Sequence, residues 1–277
     1  MIEAAFLTAP LCFVLAALTR AWHRRVEGGP PALPRGGVRT WGLNAVDLLG
    51  AGLVFLVYFG FHLSSRPAPE VDPAHRLTSA ALIVSMVVQF AIAAMVVGVL
   101  APRVRPIEFF GLAWRRWPWV LLIGPLMVLG MWLLFGGMAG LGYFRWMERL
   151  LGESPVQDVV KVLQSAQDPT VIALMAVAAV IVAPLCEEIV FRGYFYAVAK
   201  RFGGRWAAAV ASALVFSAAH GSLPALLPLF LFGLVLSESY ERTGSLWTPI
   251  AGHFFFNGAT VLVQLAARYF ELPLTPP

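Results

Sequence analysis

Residues 183–196 read APLCEEIVFRGYFY, the end of an apolar run that begins at Pro169. Between Pro169 and Tyr196 three charged side chains interrupt it: Glu187, Glu188 and Arg192. A helix needs about 20 apolar residues to cross a hydrocarbon core. A charge near the middle of that core costs at least ~2.5–3.5 kcal/mol, so each one calls for a partner or a function. This stretch fixes both the fold class and the place to look for chemistry.

The rest of the chain extends the same pattern. Its 277 residues are 59% hydrophobic and 13% charged, with a mean hydropathy of +0.77. Soluble domains carry about 25% charged residues, so an ordinary cytosolic enzyme is excluded. A disordered chain is excluded by the same apolar load. Eight runs meet or approach spanning length: Ala4–Thr19, Leu43–Leu63, Thr78–Ala101, Pro118–Gly142, Pro169–Tyr196, Trp206–His220, Pro224–Ser237 and Leu246–Ala267. The sixth and seventh are short and share one stretch broken at Gly221-Ser222-Leu223-Pro224, which predicts a tight helical hairpin. The fold class is all-α: a polytopic transmembrane bundle of about eight spans. Residues 1–168 hold the first four spans and their loops, and residues 169–277 hold the polar positions discussed below.

Charge placement gives the orientation. The net charge of +5 sits in short clusters between apolar runs and forms no basic stripe, so nucleic acid is not an expected partner. With the loop after the first span in the cytoplasm, cytoplasmic loops hold thirteen Lys and Arg and outer segments hold six. Both termini are then outside. Only Lys161 and Lys200 are lysines, a bias that fits a bacterial inner membrane protein from a GC-rich genome. Glu3 and the absence of a basic segment before the first run argue against a signal peptide. Gly28–Gly37 reads as a flexible linker. Ser154–Gln157 has the form of a capping box, and Val156, Val159, Val160 and Leu163 make one stripe. That predicts an amphipathic helix, either on the outer membrane surface or against the bundle. Cys12 and Cys186 lie in apolar runs and predict no disulfide; Cys186 reads as a small buried residue.

Spacing separates the charges of the fifth span. Glu188 and Arg192 are four residues apart and can pair on one helix face. Glu187 lies about 100° round the helix, out of register with Arg192. Pro184 removes a backbone hydrogen bond just upstream and predicts a kink. His220 ends the sixth span, while His253 and Asn257 share one face of the eighth. At about 1.5 Å per residue, Glu187 lies about 20 Å above Lys200 and His220 about 22 Å above Arg205. On the same scale His253 and Asn257 lie about 15 and 20 Å above Thr243. A lone His can be a helix–helix donor and a lone Glu–Arg pair can be packing glue, but a common depth on three helices points to a site. Phe216 reads as a packing wall for His220. Asp47 and Glu238 lie near cytoplasmic helix ends, where they can snorkel or meet water. His23, His62 and His75 carry no expected role.

Glu187, Glu188 and Arg192 (EExxxR), Phe216 and His220 (FxxxH), and His253 and Asn257 (HxxxN) occur in this order on successive spans. The set resembles the CPBP family, the CAAX-protease and bacteriocin-processing intramembrane endopeptidases, also called Abi, which includes the Ras-converting CAAX protease. The segment ERTGSLWTPIAGHFFFNG (residues 241–258) is similar to the family's last motif region. The resemblance covers about the last hundred residues, Pro169–Ala267. It implies peptide-bond hydrolysis in a peptide or membrane-associated protein, with Glu187 as general base and His220 holding the water. It further implies His253 and Asn257 as oxyanion donors, with Glu188 and Arg192 shaping the site. Desolvation would suit the carboxylate to proton abstraction near neutral pH, and donors fixed on a helix suit charge that appears only in the transition state.

No cofactor is expected. The competing reading is zinc held by Glu187, His220 and His253, a two-His, one-carboxylate set without an HExxH motif. The rival function is a non-proteolytic membrane protein that binds a peptide, as an immunity or scaffold factor would. A proton-coupled transporter is a third. The expected surroundings are membrane lipid and a peptide or protein substrate.

Overall fold

A computed structural model describes residues 1–27, 37–64, 78–152, 163 and 166–270. Among them the chain is helical: α1 (Ile2–Glu27), α2 (Val46–Ser64), α3 (Ser79–Leu100), α4 (Val120–Gly140), α5 (Tyr143–Leu151), α6 (Pro169–Gly203), α7 (Arg205–Ala219), α8 (Leu223–Thr243) and α9 (Trp247–Tyr269). Seven are long and apolar enough to span a membrane, α4 together with the short turn Trp117–Trp119 before it. α7, the sixth expected span, has 15 residues and reaches about 22 Å. Its ends match the sequence reading, and Arg205 at its start pairs with Glu238 near the end of α8 at 2.6 Å. The two helices therefore run antiparallel, joined by the three residues His220–Ser222, as the expected hairpin requires. Large apolar side chains such as Leu49, Val84, Leu133 and Leu262 stand exposed on these helices, the surface a bilayer would cover.

The ends of the elements follow local rules. Asp168 caps α6, its side chain accepting from the Thr170 N–H at 2.8 Å, with Pro169 in the first turn. α8 starts with Pro224 and stops at Gly244 in a left-handed conformation, φ 67°. α5 was not expected. It lies between Gly142 and Gly152, both at positive φ, and buries Met147 while exposing Trp146 and Leu150. The amphipathic helix expected over 155–163 and the linker over 28–36 fall outside the described residues, apart from Leu163.

The chain divides into two compact units. The first comprises Met1–Arg66, Ala93–Trp117 and Glu187–Pro249; the second comprises Pro67–Ile92, Pro118–Cys186 and Ile250–Pro277. In the first, α8 is central: half of its apolar window is buried, against 11–22% for the other spans. In the second, Leu82, Leu163, Val171 and Met175 form a core with Val261 and Leu265 packed on it. Arg268 donates to the Leu163 carbonyl at 3.1 Å, and the Phe135 and Phe256 rings meet edge to face at 5.8 Å.

Polar clasps hold one end of the first unit together, where the basic loops converge. Lys200 was read as a loop charge, but it is fully buried. Its ammonium reaches Glu241 Oε1 at 2.5 Å and the Val38 carbonyl at 2.9 Å, while the Tyr196 hydroxyl donates to Glu241 Oε2 at 2.9 Å. Asp47, expected to reach water, is also buried. Both its oxygens accept from Arg103 at 2.7 Å, and the Tyr194 hydroxyl lies 3.4 Å from one of them. In each case a helix-end charge finds a protein partner close by, which is preferred once its neighbours exclude water. Asp47 in turn raises the pKa of Arg103 above its ordinary value by accepting that hydrogen bond.

Breaking one side of a buried pair strands its partner, at about 3–5 kcal/mol. Lys200→Met and Glu241→Gln should each lower the thermal midpoint in detergent strongly. The double variant should recover part of that loss, which a thermal unfolding comparison of the four proteins will read.

Candidate active site

Arg192 is the largest fully buried side chain of the molecule's described residues. Its Nη1 donates to Glu188 Oε1 at 3.0 Å and its Nη2 to the Gly233 carbonyl at 3.2 Å, and its guanidinium lies 4.3 Å from the Phe216 ring centroid. The i, i+4 pairing expected for Glu188 and Arg192 is present. α8 can come this close because Gly233 has no side chain: a Cβ there would stand 2.9 Å from the Ala213 Cβ of α7. Glu187 is half-buried, and its charge also acts on Arg192.

Phe216 passes the arrangement on to His220. The two rings meet at 4.8 Å, nearly edge to face, and Phe191 also meets Phe216 edge to face at 5.6 Å. α7 ends here. The His220 backbone N–H bonds back to the Ser217 carbonyl at 3.3 Å. The ring of His220 turns onto the same last turn, with Nδ1 2.8 Å from the Phe216 oxygen. A carbonyl only accepts, so Nδ1 carries the proton and the Nε2 of the neutral ring keeps its lone pair. Phe216 is thus the wall predicted from sequence and, through its backbone, also the orienting group.

The second unit carries His253 and Asn257. His253 is buried and Asn257 half-buried on α9. α6 is not a plain α-helix: Ala178–Val182 and Glu188–Tyr196 are π-helical, with the α-helical turn Ala183–Glu187 between them. Pro184 accounts for the first π segment. A proline clashes with the carbonyl four residues back and has no N–H to offer. The Ala183 N–H bonds to Ala178, five residues back. In that register the partner of the Ala179 carbonyl would be residue 184, whose nitrogen has no hydrogen. Asn257 supplies the missing donor, its Nδ2 lying 2.8 Å from the Ala179 oxygen. The kink expected at Pro184 is thus absorbed as a wide turn, and a side chain from α9 closes it. π turns recur at functional sites, but neither could be read from α-helical spacing.

The structure brings Glu187, Glu188, Arg192 and His220 into the first unit, with His220 close enough to Arg192 to feel its charge. His253 and Asn257 lie in the second. Cys186 is buried as expected. Among the described residues no three His, Cys, Asp or Glu side chains gather in an arrangement that could hold a metal ion. Sequence reasoning missed two backbone carbonyls, those of Gly233 and Ala179. Pro184 was the available signal for the second.

Residues 169–259, which hold all three motifs, match the family described as type II CAAX prenyl endopeptidase Rce1-like. Over 94 residues the chain is 31% identical to the Bacillus subtilis (strain 168) protein named "Putative membrane peptidase YdiL", covering 34% of this chain and 38% of that protein. Over 153 residues it is 33% identical to an Escherichia coli protein named "Uncharacterized 24.3 kDa protein", covering 51% of this chain and 68% of that one. The match thus spans little more than a third of the first relative's length and about two thirds of the second's. No solved structure matches. The chain is an integral multi-pass membrane protein, and it belongs to the CPBP family of CAAX-protease-like proteins.

Leaving a buried carbonyl unsatisfied costs about 1–3 kcal/mol. Asn257→Ala should therefore lower the thermal midpoint in the wild-type background. In a Pro184→Ala background, where residue 184 regains its N–H, the same change should cost clearly less. A double-mutant cycle on thermal unfolding reads the coupling, and strict additivity would deny the link.

Proposed function

We propose that this chain is an intramembrane endopeptidase that hydrolyses a peptide bond in a peptide or membrane-associated protein. The observation that carries the reading is the division of labour around Arg192. Glu188 neutralises the guanidinium inside the fold, while Glu187, the next residue, stays half-buried beside it. His220 is held by its Nδ1 with Nε2 available as an acceptor. A carboxylate and an imidazole acceptor are the pair needed to hold and deprotonate a water molecule.

In the proposed reaction Glu187 takes a proton from water as its oxygen bonds to the substrate's carbonyl carbon. His220 holds that water in line through Nε2. The carbonyl oxygen gains charge, which His253 and the second N–H of Asn257 stabilise. Collapse of the tetrahedral intermediate breaks the C–N bond, and the proton held by Glu187 passes to the leaving amine. No step needs a metal. The substrate needs no prenyl group for this chemistry. The end of the first unit that carries Arg103, Arg205 and Arg242 would face the cytoplasm, following the positive-inside rule.

Cleavage should vanish in Glu187→Gln with expression and thermal midpoint near wild type. The readout is new peptide termini in membranes of cells expressing either form, and full activity in the variant would sink the mechanism. His253→Ala should keep about 10⁻²–10⁻³ of the rate, the usual loss for one oxyanion donor. Chelation with a strong zinc ligand should leave the rate unchanged; zinc content that tracks activity would overturn the metal-free reading. Equal peptide protection by wild type and Glu187→Gln, with no new termini, would favour the binding reading instead.

A further inference from the structure

A cavity in the first unit lies away from Glu187 and His220, at the end that carries Arg39 and Arg115. It measures about 550 Å³, within the range of small-molecule sites. Arg39, Trp41, Glu108, Trp114, Arg115 and Gly244 line it, among others. We propose that it binds the phosphate group of an anionic membrane lipid. This rests on the cavity alone and is independent of the peptidase reading.

The walls are fixed by backbone contacts. Gly111 and Gly244 both have φ +67°, and a side chain on Gly111 would collide with the Gly244 carbonyl. The Leu246 N–H bonds to the Phe110 carbonyl at 2.9 Å and the Trp247 indole to the Leu112 carbonyl at 3.0 Å, which pins the Phe110–Ala113 segment. Arg39 donates through Nη1 to the Gly244 carbonyl at 3.1 Å, which orients its guanidinium and leaves Nη2 and Nε for a ligand. A cavity with this frame is built into the fold rather than left between mobile loops.

The charges select an anion. Glu108 already pairs with Arg105 at 2.8 Å, so its carboxylate is compensated. Arg115 makes no ion pair among the described residues and is exposed. Two guanidinium groups therefore face the cavity with one compensated carboxylate. Guanidinium forks match phosphate oxygens in pairs, better than an ammonium would.

The aromatic residues select a lipid over a free anion. Trp41 and Trp114 line the cavity, and Trp117, Trp119 and Trp247 stand exposed nearby on the chain. Indoles gather at the headgroup level of a bilayer. Basic pockets between helices at that level hold anionic headgroups. Trp41, Trp114 and Ile107 offer the apolar wall that the glycerol and first acyl carbons need.

The test uses full-length protein in phosphatidylcholine nanodiscs, titrated with short-chain phosphatidylglycerol, short-chain phosphatidylcholine, glycerol 3-phosphate or inorganic phosphate. Native mass spectrometry and thermal shift are the readouts. Saturable binding of phosphatidylglycerol, without matching binding of the phosphatidylcholine, is expected. Arg115→Ala and Arg39→Gln should each weaken it about tenfold, as loss of a charge-assisted contact does. Trp114→Ala should weaken the lipid and leave glycerol 3-phosphate unchanged. If free phosphate binds as tightly as the lipid, the phosphate site stands and its source is soluble. Undiminished phosphatidylglycerol binding in Arg115→Ala, a variant that breaks no internal pair, overturns the proposal. So does equal binding of the two lipids by wild type.

Discussion

A guanidinium with no exposed surface dictates the interior of the first unit. Arg192 cannot be buried without partners, because the desolvation penalty of a lone charge exceeds what packing returns. Its partners come from three elements: Glu188 on α6, the Gly233 carbonyl on α8 and the Phe216 ring on α7. Each requirement constrains a neighbour. Access to the Gly233 carbonyl keeps α8 close, and the close approach excludes any side chain at 233. Phe216 under the cation then fixes where α7 ends and where the His220 ring can turn. The catalytic geometry proposed for Glu187 and His220 is downstream of that one buried cation.

Much of this was legible in the sequence, for a physical reason. Apolar runs of spanning length can satisfy their backbone only as helices in lipid, so the eight runs became α1–α4 and α6–α9, with the C-terminal ends of α1, α6 and α8 running six to eight residues further than expected. The Glu188–Arg192 pair followed from helical spacing, and it survives even though that segment is π-helical. What stayed hidden depended on contacts far apart in the chain. Lys200 and Asp47 sit at span ends, where sequence alone suggests water. Only the fold shows that Glu241 and Arg103 reach them first. α5 was hidden for the opposite reason. Its nine residues are too short and too charged to register as a span, and the glycines that delimit it read as loop.

The π segments were the least legible feature. A helix widens where one hydrogen bond shifts register, and nothing in hydrophobic periodicity reports that shift. Pro184 announces that a bond is lost, yet a proline can be met by a kink, a break or a wide turn. Which one occurs depends on whether a donor elsewhere can reach the released carbonyl. Here Asn257 does, from 78 positions along the chain. Pro184 and Asn257 therefore belong to one structural device in the second unit, although the motif containing Asn257 suggests a purely chemical role.

One rule connects the polar groups of both units. Buried in an apolar slab, a polar side chain needs a partner, and helix irregularities release backbone carbonyls to serve as one. His220 takes the carbonyl of Phe216 at a helix end; Asn257 takes that of Ala179 at a proline-induced wide turn. In each case the anchored atom is one of two functional positions on the side chain. Nδ1 of His220 is occupied, which fixes Nε2 as the acceptor. One N–H of Asn257 is occupied, which fixes the direction of the other. Anchoring thus removes the rotational freedom that would otherwise have to be lost during the reaction, and it leaves one defined polar atom in place. Fixing one position while the other keeps its direction is the arrangement that the proposed hydrolysis would use.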